Sequence, residues 1–176
     1  KPSVKLNVIG YCPKEYKQLL LKRIEALDLK DNVIFHDYFP LHEDLFRQVL
    51  KSKFAVVPGI TAIINGTVIE PTLLGLPVIT YQTTGTPYLN REKECVLLAE
   101  IGDIKGLANN MLKLMNDENY GQMLAQNANE FVTRTFDNSA SAKRLVEDYK
   151  AVIAHFHNGT SIPEELLFDL NEFPKY

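Results

Sequence analysis

Asn65, Gly66, Thr67 and Glu70 are the densest group of residues in this chain that could do chemistry, within the run NGTVIEPTLLGLPVIT over 65–80. A glycine turn ahead of a helix leaves backbone N–H groups pointing outward, and such amides favour an anion such as a phosphate. Asn65, Gly66 and Thr67 stand where those amides would lie. Glu70 follows about one turn into the same helix, where its carboxylate could accept hydrogen bonds from a vicinal diol such as a ribose. A charged hydrogen bond of that kind contributes about 1.5–3 kcal/mol. The plainer alternative is that Glu70 only favours the positive end of the helix, a contribution of about 0.3–1 kcal/mol. Gly66 would then merely permit a tight turn.

Three further loops could join this one: 10–12 with Gly10, 36–39 with His36 and Tyr38, and 82–88 with Thr84, Gly85 and Thr86. His36 could touch a base or a phosphate, or be a solvated polar residue. Tyr11 and Tyr38 could stack on a nucleobase, although packing at the edge of the core is the simpler expectation. No catalytic residue stands out. The four histidines show no metal-ligand spacing and two cysteines are too few for a zinc cage, so no metal is expected; no cofactor is expected either. Glu92, Glu94, Glu164 and Glu165 read as solvated charge.

These loops need elements to place them. Apolar runs read as strands over 4–9, 32–35, 54–57, 77–81 and 95–98. Amphipathic patterns read as helices over 13–28, 41–52, 67–74, 104–116, 118–135 and 138–156, with Asp103 and Asp137 as N-caps. Pro71 is tolerable if it falls in the first turn of its helix. Gly75, Leu76 and Pro77 read as architecture that ends this helix and starts a buried strand. Strands joined by helices of this length predict a Rossmann-like, doubly wound parallel sheet with helices on both faces. In such sheets ligands bind beyond the carboxyl ends of the strands, which the four loops leave. The expected division is a body over 1–156 and a tail over 157–176 with one short helix at 164–169.

The totals set bounds. A chain of 176 residues, 45% hydrophobic and 23% charged, suits one soluble domain. A net charge of −3 offers no broad field for nucleic acid. Two cysteines fit a reducing, cytoplasmic setting. No apolar run approaches the ~20 residues that cross a bilayer. The abrupt start, KPSVKLNVIG, is expected of a piece of a longer protein.

Glu70-Pro71-Thr72-Leu73-Leu74-Gly75-Leu76-Pro77-Val78-Ile79 resembles the E-A-x-x-x-G-x-P-V-I signature of B-type (GT-B) glycosyltransferases, above all the retaining family 4. Residues 31–35 resemble that family's D-x-V-x-F strand, residues 50–58 its ADVFVLPS strand, and residues 84–87 its G-G-x-P-E loop. The resemblance covers residues 4–150 and implies the donor-binding half of a two-domain enzyme. That enzyme would move a hexosyl group from a nucleotide-diphosphate sugar to an acceptor, with retention, in polysaccharide or glycolipid assembly. It implies that Glu70, the second glutamate of an E-x7-E motif, holds the ribose. Amides near Asn65, Gly66 and Thr67 would receive the diphosphate. His36 and Tyr38 would border the base, and Thr84, Gly85 and Thr86 would lie along the sugar and phosphates. Gly10 would line the same crevice.

Departures from the pattern accompany it. The first motif glutamate falls on Ala62, whose methyl cannot accept a hydrogen bond, and the glutamate after the G-G-x-P loop is Tyr88. The family's opening strand and helix and its N-terminal acceptor-binding domain are not in this sequence, so the chain alone is not expected to catalyse transfer. Segments 65–70 and 83–87 also resemble parts of UDP-N-acetylglucosamine 2-epimerases, but Pro71 and Gly85 replace acidic residues there. A degenerate domain that binds a nucleotide sugar without turning it over, or that only scaffolds a partner, is the non-enzymatic alternative.

Overall fold

Val78, Ile79 and Thr80 form a β-branched run suited to a pleated, buried surface, and all three are essentially inaccessible to solvent. They belong to the central strand of a three-stranded parallel sheet. The structure is a computed structural model and describes residues 4–61 and 63–167. Its residues fall into two compact units, Lys1–Lys53 and Phe54–Tyr176.

In the first unit, strands β1 (Leu6–Ile9) and β2 (Val33–His36) pair in parallel, Leu6 opposite Val33 and Ile9 opposite His36. Helix α1 (Lys14–Ala26) connects them and α2 (His42–Val49) follows. Asn32 is the only buried residue among those described in this unit, and its Nδ2 donates to the Val4 carbonyl at 2.8 Å.

In the second unit, β3 (Ala55–Val57), β4 (Val78–Gln82) and β5 (Leu97–Glu100) pair in parallel in the order β3-β4-β5. Helix α3 (Gly66–Leu73) joins β3 to β4, and a 3-10 turn at Thr86–Asn90 lies between β4 and β5. Helices α4 (Ile104–Asn116), α5 (Glu118–Thr135) and α6 (Asn138–Asn158) complete the unit. Strand alternation divides the core in two. Val78 and Val96 pack with Val68 of α3 and Ala128, Phe131 and Val132 of α5. Ile79 and Leu97 face the other way, onto Leu114 of α4 and Leu124 of α5. Both faces of this sheet are therefore covered by helices, each fully buried Val, Leu or Ile contributing about 1.5–3 kcal/mol.

Every strand and the six longer helices expected from the sequence are present, with ends that differ by at most three residues. The shifts have local causes. The side chain of Asn90 accepts from the amides of Cys95 and Val96 at 2.8 and 2.9 Å, so β5 starts at Leu97 rather than residue 95. After Val49 the chain tightens into i→i+3 bonds, Lys51 to Gln48 and Ser52 to Val49, which ends α2 before residue 52. Asp103 and Asp137 cap α4 and α6 as expected, and Asp117 caps α5. The short C-terminal helix, expected over 164–169, is a 3-10 turn at Glu164–Leu166, and residues 168–169 lie outside the described residues.

Pro71 is a correction. Helix α3 begins at Gly66, so Pro71 is its sixth residue and lies in the second turn, not the first. Its missing N–H leaves the Thr67 carbonyl without its helical donor. The end of the helix closes tightly. Leu76 N–H donates to the Pro71 carbonyl at 2.9 Å and Gly75 N–H to that of Thr72 at 3.1 Å, with Gly75 at φ 77. This is the Schellman arrangement that a glycine after the last turn allows.

Candidate functional site

The C-terminal edge of the three-stranded sheet begins with Val57, the last residue of β3. Its carbonyl accepts from the Gly59 amide at 2.8 Å and from the buried Thr80 hydroxyl of β4 at 2.8 Å. Two loops are thus rooted side by side, 58–65 after β3 and 83–85 after β4. The first delivers the chain to the N-terminus of α3.

Asn65 is the N-cap residue of α3 in extended backbone, but its side chain does not cap the helix. Its Oδ1 accepts from the Thr67 hydroxyl, and its Nδ2 lies 3.7 Å from where a β-carbon on Gly59 would sit. The Gly66 and Thr67 amides consequently have no acceptor among the described residues. Glu70 reaches back along the helix, its Oε1 only 3.3 Å from where a β-carbon on Gly66 would be. It is half-buried and has no hydrogen bond or ion pair among the described residues. A carboxylate and two open amides therefore share one turn of helix at the strand ends. That arrangement can hold a ligand carrying both an anionic group and hydroxyls.

The loop after β4 carries Thr84, Gly85 and Thr86, and it is built differently from the sequence expectation. Thr86 is 2% exposed, and its hydroxyl donates to the Tyr81 carbonyl at 2.8 Å while accepting from the Thr83 amide at 2.9 Å. Thr86 is an internal brace, with no hydroxyl left to offer. Thr84 is exposed and Gly85 half-exposed. Thr83 and Thr80, which organise these loops, escaped sequence reasoning. The recurrence of Thr at 80, 83 and 86 is the signal that could have marked them.

In the first unit, Gly10 follows β1 with φ 120 and Tyr38 follows β2. His36, expected in a loop, is the last residue of β2. Its Nε2 lies 2.9 Å from Asn7 Oδ1, to which it donates when protonated there, and 3.3 Å from Gln48 Nε2, which can donate only to the other tautomer. Tyr11 and Tyr38 are 84% and 71% exposed, so they do not pack at a core edge. Ala62 lies outside the described residues. Among the described residues, no group of three or more His, Cys, Asp or Glu is placed to hold a metal ion.

Parallel sheets flanked by helices are the architecture of one half-domain of GT-B glycosyltransferases, and solved structures agree on that fold. The structure of Anabaena HepE in complex with UDP matches at a TM-score of 0.77 and 19% identity, over 85% of this chain and 42% of that one. Sucrose-phosphate synthase from Thermosynechococcus elongatus matches at 0.74 and 24%, over 85% and 39%. The C-terminal domain of a glycosyl transferase group 1 family protein (LpcC) from Francisella tularensis matches at 0.65 and 17%, over 72% and 66%. The chain belongs to the family Glycosyl transferases group 1, whose model matches residues 1–131. It spans about two fifths of the length of HepE. No curated protein matches it by sequence.

Proposed function

We propose that this chain is the donor-binding part of a glycosyltransferase that moves a hexosyl group from a nucleotide-diphosphate sugar to an acceptor. The observation that carries this reading is the half-buried Glu70 carboxylate, unpartnered among the described residues, beside the open amides of Gly66 and Thr67. In the proposed complex the diphosphate rests on those amides, and Glu70 accepts from the ribose hydroxyls one turn further on. Thr84 and Gly85 border the donor sugar. The family membership of the chain and the UDP and UDP-glucose complexes of HepE make uridine nucleotides the first candidates.

Departure of the nucleotide diphosphate needs its growing negative charge stabilised, which the α3 amides and dipole would supply from this side. The acceptor and the remaining groups would come from an N-terminal domain of the same protein, so the isolated chain binds donor without turning it over. The reading includes transfer with retention, no metal, a cytoplasmic location and a role in polysaccharide assembly. Among the described residues, no helix is long and apolar enough to cross a membrane.

The test is calorimetric titration of the chain with UDP, GDP, ADP and their sugars, with Glu70→Gln alongside. One nucleotide should bind, and Glu70→Gln should weaken it by about tenfold or more, the equivalent of a charged hydrogen bond. Inorganic diphosphate should bind more weakly than the nucleotide, because it meets the Glu70 charge without a ribose to satisfy it. Equal affinity of wild type and Glu70→Gln would overturn the assignment of that carboxylate.

A further inference from the structure

The loop after β4 is closed on itself by two threonine hydroxyls. Thr86 Oγ1 bridges the Thr83 amide at 2.9 Å and the Tyr81 carbonyl at 2.8 Å. Thr83 Oγ1 lies 3.3 Å from both Thr86 Oγ1 and the Thr86 amide, from which it accepts. Both side chains are buried, at 8% and 2% exposure. Tyr81 is the penultimate residue of β4, so the brace ties the loop to the end of the central strand. The next residues, Pro87 to Asn90, are held in turn: Tyr88 stacks edge-on against Phe131 of α5, and Asn90 donates to the Val96 carbonyl at 2.9 Å. Thr84 and Gly85 span the gap between two fixed ends. Two residues so clamped have almost no backbone freedom to lose when a ligand meets them.

We propose that Thr86 is a positioning residue for the donor site: its hydroxyl touches no ligand and sets the backbone of Thr84 and Gly85 in the ligand-ready shape. This rests on the reading of the strand ends as a nucleotide-sugar site, and it replaces a direct role for the Thr86 side chain. Valine at 86 keeps the volume and deprives the Thr83 amide and Tyr81 carbonyl of their shared partner, whereas serine keeps the hydroxyl.

The experiment is titration of UDP and UDP-glucose into the full chain as wild type, Thr86→Val, Thr86→Ser and the gentler Thr83→Ala. Melting temperature and Thr83 amide exchange are followed on each. UDP-glucose affinity should fall by about tenfold in Thr86→Val and stay within about twofold in Thr86→Ser, following the loss of one to two hydrogen bonds. Thr83→Ala, which keeps the bond to Tyr81, should fall between them, so an unfolded Thr86→Val would still leave the comparison intact. A purely structural role would lower the melting temperature of these variants with no ordering of affinities among the folded ones. Wild type that binds, with folded hydroxyl-deficient variants binding equally well, overturns the positioning role alone. Wild type that binds neither nucleotide overturns the donor reading and the positioning role together.

Discussion

Gly66 has no side chain, and Glu70 occupies the space this leaves. A β-carbon at 66 would meet Glu70 Oε1 at 3.3 Å, tighter than ordinary contact, so the carboxylate would have to shift by a few tenths of an ångström. Gly66 does not adopt a positive φ, so alanine fits its backbone. Removing glycine from such a position commonly adds about 0.4–1 kcal/mol of stability by restricting the unfolded chain. Gly66→Ala should therefore hold or raise the melting temperature while reducing nucleotide affinity. Thermal melts and titrations of the same sample check both directions, and a loss of stability with unchanged affinity would contradict the account.

Helix termini show how elements here are held by different means. Helix α3 carries an interior proline, and its C-terminal end is held from outside. Asn129 of α5 donates to the carbonyls of Thr72 and Leu73 at 3.2 and 3.0 Å, supplementing the turn at Gly75. Helix α6 is the opposite case. It has a side-chain cap, Asp137 accepting from Ser139 and Ala140 at 2.8 and 3.2 Å, and Gly159 closes it at φ 66, but no residue along it is buried. Its apolar stripe of Leu145, Tyr149, Val152, Ile153 and Phe156 is exposed. With no core packing to sustain it, α6 depends on its cap more than α5 does. Asp137→Ala should cost about 1 kcal/mol of local helix stability. Amide exchange over residues 139–145 should quicken while the Val78 and Ile79 amides keep their protection.

At the scale of the molecule, burial is uneven. Among the described residues, every buried apolar side chain of the core lies in the second unit, and the first has one buried residue, Asn32. Electrostatic ties add to the second unit. Glu92 and Glu94, expected as solvated charge, are both partnered: Glu92 accepts from Arg134 of α5 at 2.7 Å, and Glu94 accepts from the Tyr120 hydroxyl at 2.7 Å. The hydrogen bond from Arg134 holds the Glu92 carboxyl below its ordinary range. The unfolded chain therefore takes up this proton at higher pH than the folded one. The stability it contributes is full above the ordinary carboxylate range and is lost as pH falls through the lowered folded value. Melting curves of wild type and Arg134→Met should differ near neutral pH and converge in acid. The difference should be small and should shrink in salt, because the pair is solvent-exposed.

The strands, the helices and the Asp103 and Asp137 caps were legible in the sequence because each depends on residues within a turn or two: β-branched runs, apolar spacing, Gly and Pro stops. Glu70 was legible for the same reason, as a charge out of place between a glycine turn and a buried run. Thr86 was not, since a hydroxyl in a Gly-Thr loop looks alike whether it faces solvent or its own backbone. Nor was the start of β5, where the amides of Cys95 and Val96 went to Asn90, or the end of α3, whose Thr72 carbonyl meets Asn129 across 57 positions of sequence. The local pattern by itself determined which elements form and where the Glu70 carboxylate stands, within α3. Only packing decided which polar groups are consumed inside the fold and which stay open, because hydrogen-bond partners distant in sequence meet only after the chain has folded.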